Sequence, residues 1–365
     1  MGEIPVTTIV GAAAFAAGII FGATAQRTNF CTMGAISDMV FMGDFKRFRA
    51  WLMAIAIGIL ATQTMHSTGM IDIDKSIYLT SNLGWLGAIL GGLFFGFGMT
   101  MAGGCGNKTL VRIGGGNLKS LVVFMVVGVT AYMTLRGLIA VARIEMEVTN
   151  VNLANMGMKA QGFPDLLMAL GLPAGVARWS VALAFAGGML AYCFKDSEFR
   201  ESPRDLVAGL VIGLMVPTGW WITGVLGNDD FSPAPLASFT FVGPIGESLQ
   251  YLMTFTGATI NFGIAAVAGV ITGSFLVSIA TKSFHLESFS DADDMLRHMA
   301  GAVLMGMGGV LAMGCTIGQG LTGMSTLGIG SLIAFLSILA GGVLGMKYLE
   351  EGTLGGALRA VFARA

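Results

Sequence analysis

Little of this sequence is charged. Asp, Glu, Lys and Arg make up 11% of its 365 residues, against roughly 25% in a soluble domain. Mean hydropathy is +0.78. Too few polar side chains are present to clothe a water-soluble globule. The net charge of −1, with no basic patch, excludes nucleic acid as a partner. There are three histidines (His66, His285, His298), all near the ends of apolar runs, which argues against a histidine metal centre. The four cysteines contain no CxxC pair, so neither a disulfide framework nor a zinc site is expected. No Asp, Glu or His falls in the middle of an apolar run, and the usual proton-relay groups of a pump are therefore missing. Gly114-Gly115-Gly116-Asn117 is no phosphate loop, since neither a strand before it nor GKS/GKT after it is present. No cofactor is expected.

What the chain has in plenty is apolar and small. Hydrophobic residues account for 55%, with 55 Gly and 25 Met, and small residues let membrane helices approach closely. Several runs are close to the ~20 residues that a helix needs to cross a bilayer. The fold class is an all-α polytopic membrane protein with its surface in lipid. Nine spans are expected, at 5–25, 50–68, 83–101, 118–140, 176–194, 206–225, 262–281, 299–313 and 331–349. The first lacks a basic flank and a cleavage site, so it reads as a span and not a signal peptide. The eighth is short, as are the apolar pieces after Cys31, Cys105 and Cys315. Those pieces read as half-helices or re-entrant loops, which protein or a water-filled cavity must surround.

Charge sets the orientation. With the N-terminus outside, fifteen of the twenty Lys and Arg fall on the inner side, including Arg27, Lys46, Arg47, Lys108, Arg112 and Arg364. This bias fits the positive-inside rule with the C-terminus inside. Residues 142–173 read as a surface loop joining two halves. Residues 227–250, with Asp229, Asp230 and three prolines, read as an outer loop without an equivalent in the first half. Residues 285–297, with Glu287, Asp291, Asp293 and Asp294, read as an amphipathic inner segment.

One stretch is repeated. GGLFFGFGMTMAGGC at 91–105 returns 210 residues later as GAVLMGMGGVLAMGC at 301–315, with six of fifteen positions identical. Both copies are apolar helices ending at a Gly-Cys pair. Ala17-Gly18 and Gly22 likewise match Ala208-Gly209 and Gly213, although AGxxxG alone is also a plain packing motif. Spans one to four thus pair with six to nine, in opposite senses. The expected organisation is a first repeat at 1–141, a connector with span five at 142–203 and a second repeat at 204–365. Inverted repeats with broken helices are a common transporter plan, with the substrate at the midplane.

Three cysteines share a setting. Cys31, Cys105 and Cys315 each stand between a span and a half-helix, among Gly, Thr and Asn. The position matching Cys31 in the second half falls near Ile222, where the symmetry breaks. Cys193, at the end of span five, reads as an ordinary buried cysteine. Half-helix N-termini turn free N–H groups toward a cavity and favour an anion. A thiol in apolar surroundings stays neutral and can donate a weak hydrogen bond to the sulfur of that anion. The combination suits a small, soft, sulfur-bearing anion. Asn107, Lys108, Thr316 and Gln319 are candidates to line the path, or equally to cap helices. Lys108 and Arg112 also fit as ordinary inner-side charges, and Asp38 and Asp44 fit the inner surface. The Met-rich stretches 97–101 and 305–313 read as packing.

NFCTMGA around Cys31, GGCGN around Cys105 and GCTIGQGLTG around Cys315 resemble the YeeE/YedE family of bacterial sulfur-compound transporters, and the resemblance covers essentially the whole chain. It implies a multi-pass protein of the bacterial inner (cytoplasmic) membrane that takes up thiosulfate. It implies that Cys31, Cys105 and Cys315 bind the ion and pass it along by S–H···S contacts, and that a cytoplasmic TusA-like sulfur carrier is a partner. Selenium or another sulfur species remains an alternative substrate within the family. Two alternatives outside it stay open: a membrane thiol oxidoreductase cycling a disulfide, which needs sulfurs able to approach ~2 Å, and a carrier of a soft metal such as Cu(I).

Overall fold

Residues 5–229 and 233–362 are described by the structure, a computed structural model. Asp230 and Arg364, used in the loop and charge readings, lie outside them. The first part of the chain runs α1 (Val6–Thr28), α2 (Thr32–Ser37, continued as a π turn to Met42), α3 (Lys46–Ser67), α4 (Trp85–Met101), α5 (Gly106–Gly114) and α6 (Leu118–Arg136). A middle stretch holds α7 (Ile139–Glu147), α8 (Phe163–Ala169), α9 (Ala174–Phe194) and α10 (Ser197–Arg200). Then follow α11 (Pro203–Trp221, continued as a π turn to Leu226), α12 (Val242–Met253), α13 (Phe262–Ala280) and α14 (Ala292–Leu311). A half-helix at 316–325, α15 (Ile329–Glu351) and α16 (Leu354–Phe362) complete the chain. Strand pairing among named strands is confined to two residues of each, Asn82–Leu83 against Val151–Asn152.

Eight helical stretches among the described residues are long and apolar enough to cross a membrane, one fewer than expected. The difference is the expected span at 299–313. It belongs to α14, whose first turns carry Asp293, Asp294 and Arg297 and dilute its hydropathy. The chain is a multi-pass α-helical membrane protein.

Glycine decides which helices touch. In lipid there is no hydrophobic drive between helices, so association rests on close van der Waals contact. Gly18 and Gly22 of α1 press on the backbone of α13 at Ala266 and Val270, and Gly269 and Gly273 of α13 press back at Phe15 and Ile19. The matching Gly209 and Gly213 of α11 meet the carbonyls of Ala50 and Ala54 on α3. The AGxxxG residues are therefore packing residues, and they pack in matching ways in the two halves.

The long repeat packs on itself. A Cβ on Gly91 would stand 2.5 Å from the Ala312 N, and one on Gly301 would stand 2.5 Å from the Ala102 N. Gly98 likewise faces the Gly301 carbonyl while Gly308 faces that of Gly91. Early residues of α4 thus meet late residues of α14 and the reverse, so these two helices are antiparallel and their contacts are reciprocal about a local twofold axis. Each ends in a left-handed residue, Gly103 (φ 71°) and its mate Met313 (φ 56°). Methionine holds that conformation at a cost of about 1–2 kcal/mol.

Two expected loops are not loops. Residues 233–241 run as extended chain into the interior, where Phe239 and Phe241 are fully buried. They lead into α12, which packs on α6 and α13 as α2 packs on α15 and α3. So α12 is the second-half counterpart of α2, and the outer-loop reading of 227–250 is corrected. The register between the halves is 191 residues at Gly18 and Gly209 but 210 at Thr32 and Val242. The second half therefore carries 19 more residues between these points, which moves the position matching Cys31 from Ile222 to Phe241. The surface-loop reading of 142–173 is corrected too. It contains α7 and α8, and Gln161 and Gly162 pair with the turn after the second half-helix (Ile329 N–H to the Gln161 carbonyl, 2.8 Å). The acidic stretch 285–297 splits: Leu118 N–H bonds the Glu287 carbonyl at 2.8 Å, and α14 begins at Ala292. There the Lys119 ammonium, 3.0 Å away, holds the Asp294 carboxyl down at about 2, with help from Arg297.

Candidate functional site

Each of three cysteines sits at the N-terminal end of a half-helix. Cys31 is the N-cap of α2, and its sulfur accepts the Gly34 N–H at 3.5 Å. Cys105 is the N-cap of α5. Cys315 opens the half-helix at 316–325, where its sulfur accepts the Gly318 N–H at 3.5 Å. The preceding helices stop for a local reason: the left-handed residue two before Cys105 and Cys315 turns the backbone out of the helical register. The Cys31 and Cys315 sulfurs take up N–H groups that no helical carbonyl can reach, which leaves their S–H protons available to donate; the Cys105 side chain makes no such cap bond. All three are at most 4% exposed.

The fold brings these groups together across long sequence distances. The Cys31 and Cys105 thiols are close enough to act on each other, and Thr316, next to Cys315, lies near the Cys105 thiol while its own buried hydroxyl has no hydrogen-bond partner. Asn107 is fully buried; its Nδ2 donates to the Phe30 carbonyl at 3.4 Å and its Oδ1 has no partner. Lys108 Nζ donates to Asn29 Oδ1. Gln319 Nε2 donates to the Ala312 carbonyl at 2.5 Å, while its Oε1 has no partner. Cys193 stands apart, donating to the Arg49 carbonyl at 3.2 Å between α9 and α3.

The two ends of this cluster differ in charge. Around Cys31 and Cys105 lie Lys108, Arg112 (to the Gly103 carbonyl, 2.6 Å), Arg204 (to the Thr28 carbonyl, 2.9 Å) and Arg47 (to Asp38, 3.1 Å). Asp38 is buried, not at a surface as expected, because Arg47 compensates its charge. At the other end a cavity of about 800 Å³ reaches Gly314, the neighbour of Cys315. Among its lining are Arg143 and Glu147, paired with each other, and Glu247, which accepts from Asn261 at 2.7 Å.

The profile of the sulphur-transport family matches residues 27–344, a range that includes all three half-helices. The chain belongs to that family. Membership places it among transporters and not enzymes, and it matches the resemblance drawn from the cysteine motifs. Among curated relatives, the thiosulfate transporter TsuA of Escherichia coli (strain K12) is 26% identical over 324 residues, covering 83% of this chain and 84% of the relative. The thiosulfate transporter TsuA of Spirochaeta thermophila is 25% identical over 322 residues, covering 85% of this chain and 90% of the relative.

Two residues at the site of this family member were missed in the sequence. Phe241 stands at the position matching Cys31, edge-on to Phe21 and tilted against Phe239. A Cβ on Gly106, next to Cys105, would lie 3.6 Å from it. The 210-residue offset of the cysteine repeat would have found it, had the insertion been placed before Phe241 instead of after it. Tyr78, 6% exposed, lies beside Gly318 of the second half-helix. No spacing signal marks it, because it sits in an irregular connection.

Proposed function

We propose that this chain takes up thiosulfate, or a related small sulfur-containing anion, through a path on which Cys31, Cys105 and Cys315 present neutral thiols. The observation that carries the reading is the approach of the Cys31 and Cys105 thiols, from half-helices 74 residues apart in sequence, with Thr316, the neighbour of Cys315, close to Cys105. The anion enters from the large cavity by Cys315, passes Cys105 and leaves by Cys31 toward the basic end. S–H···S contacts hold its sulfur and no covalent intermediate forms. Asn107, Lys108, Thr316 and Gln319 line the path. The thiosulfate transporters among its relatives support the choice of substrate, and the surplus of Lys108, Arg112, Arg204 and Arg47 at one end favours motion of an anion that way.

In this reading residues 1–141 and 204–365 are inverted repeats, with 142–203 as the connector. The protein sits in the bacterial inner membrane with the N-terminus outside and the C-terminus in the cytoplasm. A cytoplasmic TusA-like sulfur carrier receives the sulfur there. The test is thiosulfate-dependent growth of an uptake-deficient bacterium carrying the chain. Cys105→Ala and Cys315→Ala are expected to abolish growth while Cys193→Ala leaves it unchanged. Growth of both variants at the wild-type rate would sink the relay.

A further inference from the structure

We propose that a small cavity behind the second half-helix binds one monovalent cation of sodium size through the oxygens of Gln319, Ser331 and Gln161. The cavity measures about 30 Å³, room for a single ion or water. Gln319, Ser331 and Gln161 line it and are 4%, 3% and 5% exposed. Both glutamine amides turn their donors elsewhere, Gln319 to the Ala312 carbonyl at 2.5 Å and Gln161 to the Thr80 hydroxyl at 3.3 Å. Their oxygens are left over, and Gln319 Oε1 has no partner at all. A buried amide oxygen without a donor is costly, and a cation would satisfy it.

Two of the oxygens are also neighbours. Gln319 Oε1 and Ser331 Oγ both stand over the bare Cα of Gly323, each closer than 3.0 Å to where a Cβ would be. Gln161 Oε1 holds the same relation, at 2.6 Å, to Gly330. Among the described residues, no carboxylate, thiol or imidazole lines the cavity. Hard neutral oxygens suit sodium, whereas calcium and magnesium sites draw on carboxylates and soft metals on sulfur. The backbone here is a π-helix, Gly318–Gly323, a form found mostly at functional sites. The first half has no such site: the residue matching Gln319 is Thr109, whose hydroxyl is spent on the Cys105 carbonyl at 3.1 Å, in a regular α-helix.

The role rests on the transport reading above. An anion entering a negative-inside cell moves against the membrane potential, and a cation bound four residues from Cys315 both offsets that charge and steadies the anion beside it. The experiment uses the purified full-length chain in detergent, with binding of radiolabelled sodium measured at constant ionic strength. Saturable binding of one sodium per chain is expected, weakened about tenfold or more in Ser331→Ala and lost in Gly323→Ala. Ser331→Ala leaves the glycine packing untouched, so it stays informative if Gly323→Ala fails to fold. No saturable binding, or wild-type binding by Ser331→Ala, means the cavity holds water only and overturns the proposal. In proteoliposomes, thiosulfate uptake is expected to need external sodium over potassium. Uptake without any sodium binding sinks the cation site and spares the transport reading. Sodium binding without thiosulfate uptake does the reverse.

Discussion

Where the first half of the chain puts Cys31, the second puts Phe241, and the two residues reach equivalent places by different routes. In the first half three residues join α1 to α2. In the second, a π turn and an extended run through the interior separate α11 from α12. Elsewhere the halves agree closely: the same glycines hold α1 on α13 and α11 on α3, and the same Gly-Cys pair ends α4 and α14. Packing follows the repeat, and polarity departs from it. One half offers two thiols and a basic surround. The other offers one thiol, a buried phenylalanine and most of the lining of the large cavity. A symmetric frame would present the same chemistry at both faces, so direction has to come from the places where the halves differ.

The sharpest way to break this comparison is at its axis. Gly91→Val and Gly301→Val each push a side chain into the partner's backbone. Both are expected to cost about 3 kcal/mol or more, as overpacking of a tight core does, and to do so equally. Folded yield in detergent, followed by size-exclusion chromatography, reads this, and a large effect at only one position would mean the contacts are not true mates. Comparable in size is Phe241→Ala. It empties a fully buried site and is expected to cost about 3–5 kcal/mol, seen as a lower Tm. An unchanged Tm would remove Phe241 from the core. The smallest effect is conformational. Met313→Gly is expected to stabilise by about 1 kcal/mol through relief of the left-handed strain, and Gly103→Ala to destabilise by about as much. Matched thermal melts compare the two.

Much of the architecture was legible in the chain because lipid enforces it. Long apolar runs carry that information directly. The Gly-Cys repeat exposed the pairing of α4 with α14, since helices in such close contact leave room for nothing larger than glycine. What stayed hidden lay in connections. The sequence before Phe241 has prolines, Asp229 and Asp230 like any surface loop, yet Phe239 and Phe241 are buried, and no periodicity reports the burial of irregular chain. The insertion also shifted the register, so Ile222 was matched to Cys31 in place of Phe241. Cys31, Cys105 and Cys315 were singled out from their settings, but the approach of the first two depends on tertiary folding. Likewise, Asp38 looked like a surface acid because Arg47, its partner, is nine residues away along the chain.

The half-helices have one more consequence. On the transport reading proposed above, their attraction for an anion comes from peptide groups fixed in the protein interior, not from side chains bathed in solvent. Dissolved salt at about 0.1 M screens exposed charges more than about 10 Å apart, but it screens groups enclosed this deeply far less. The pull on the substrate therefore holds its strength whether the surrounding medium is dilute or briny.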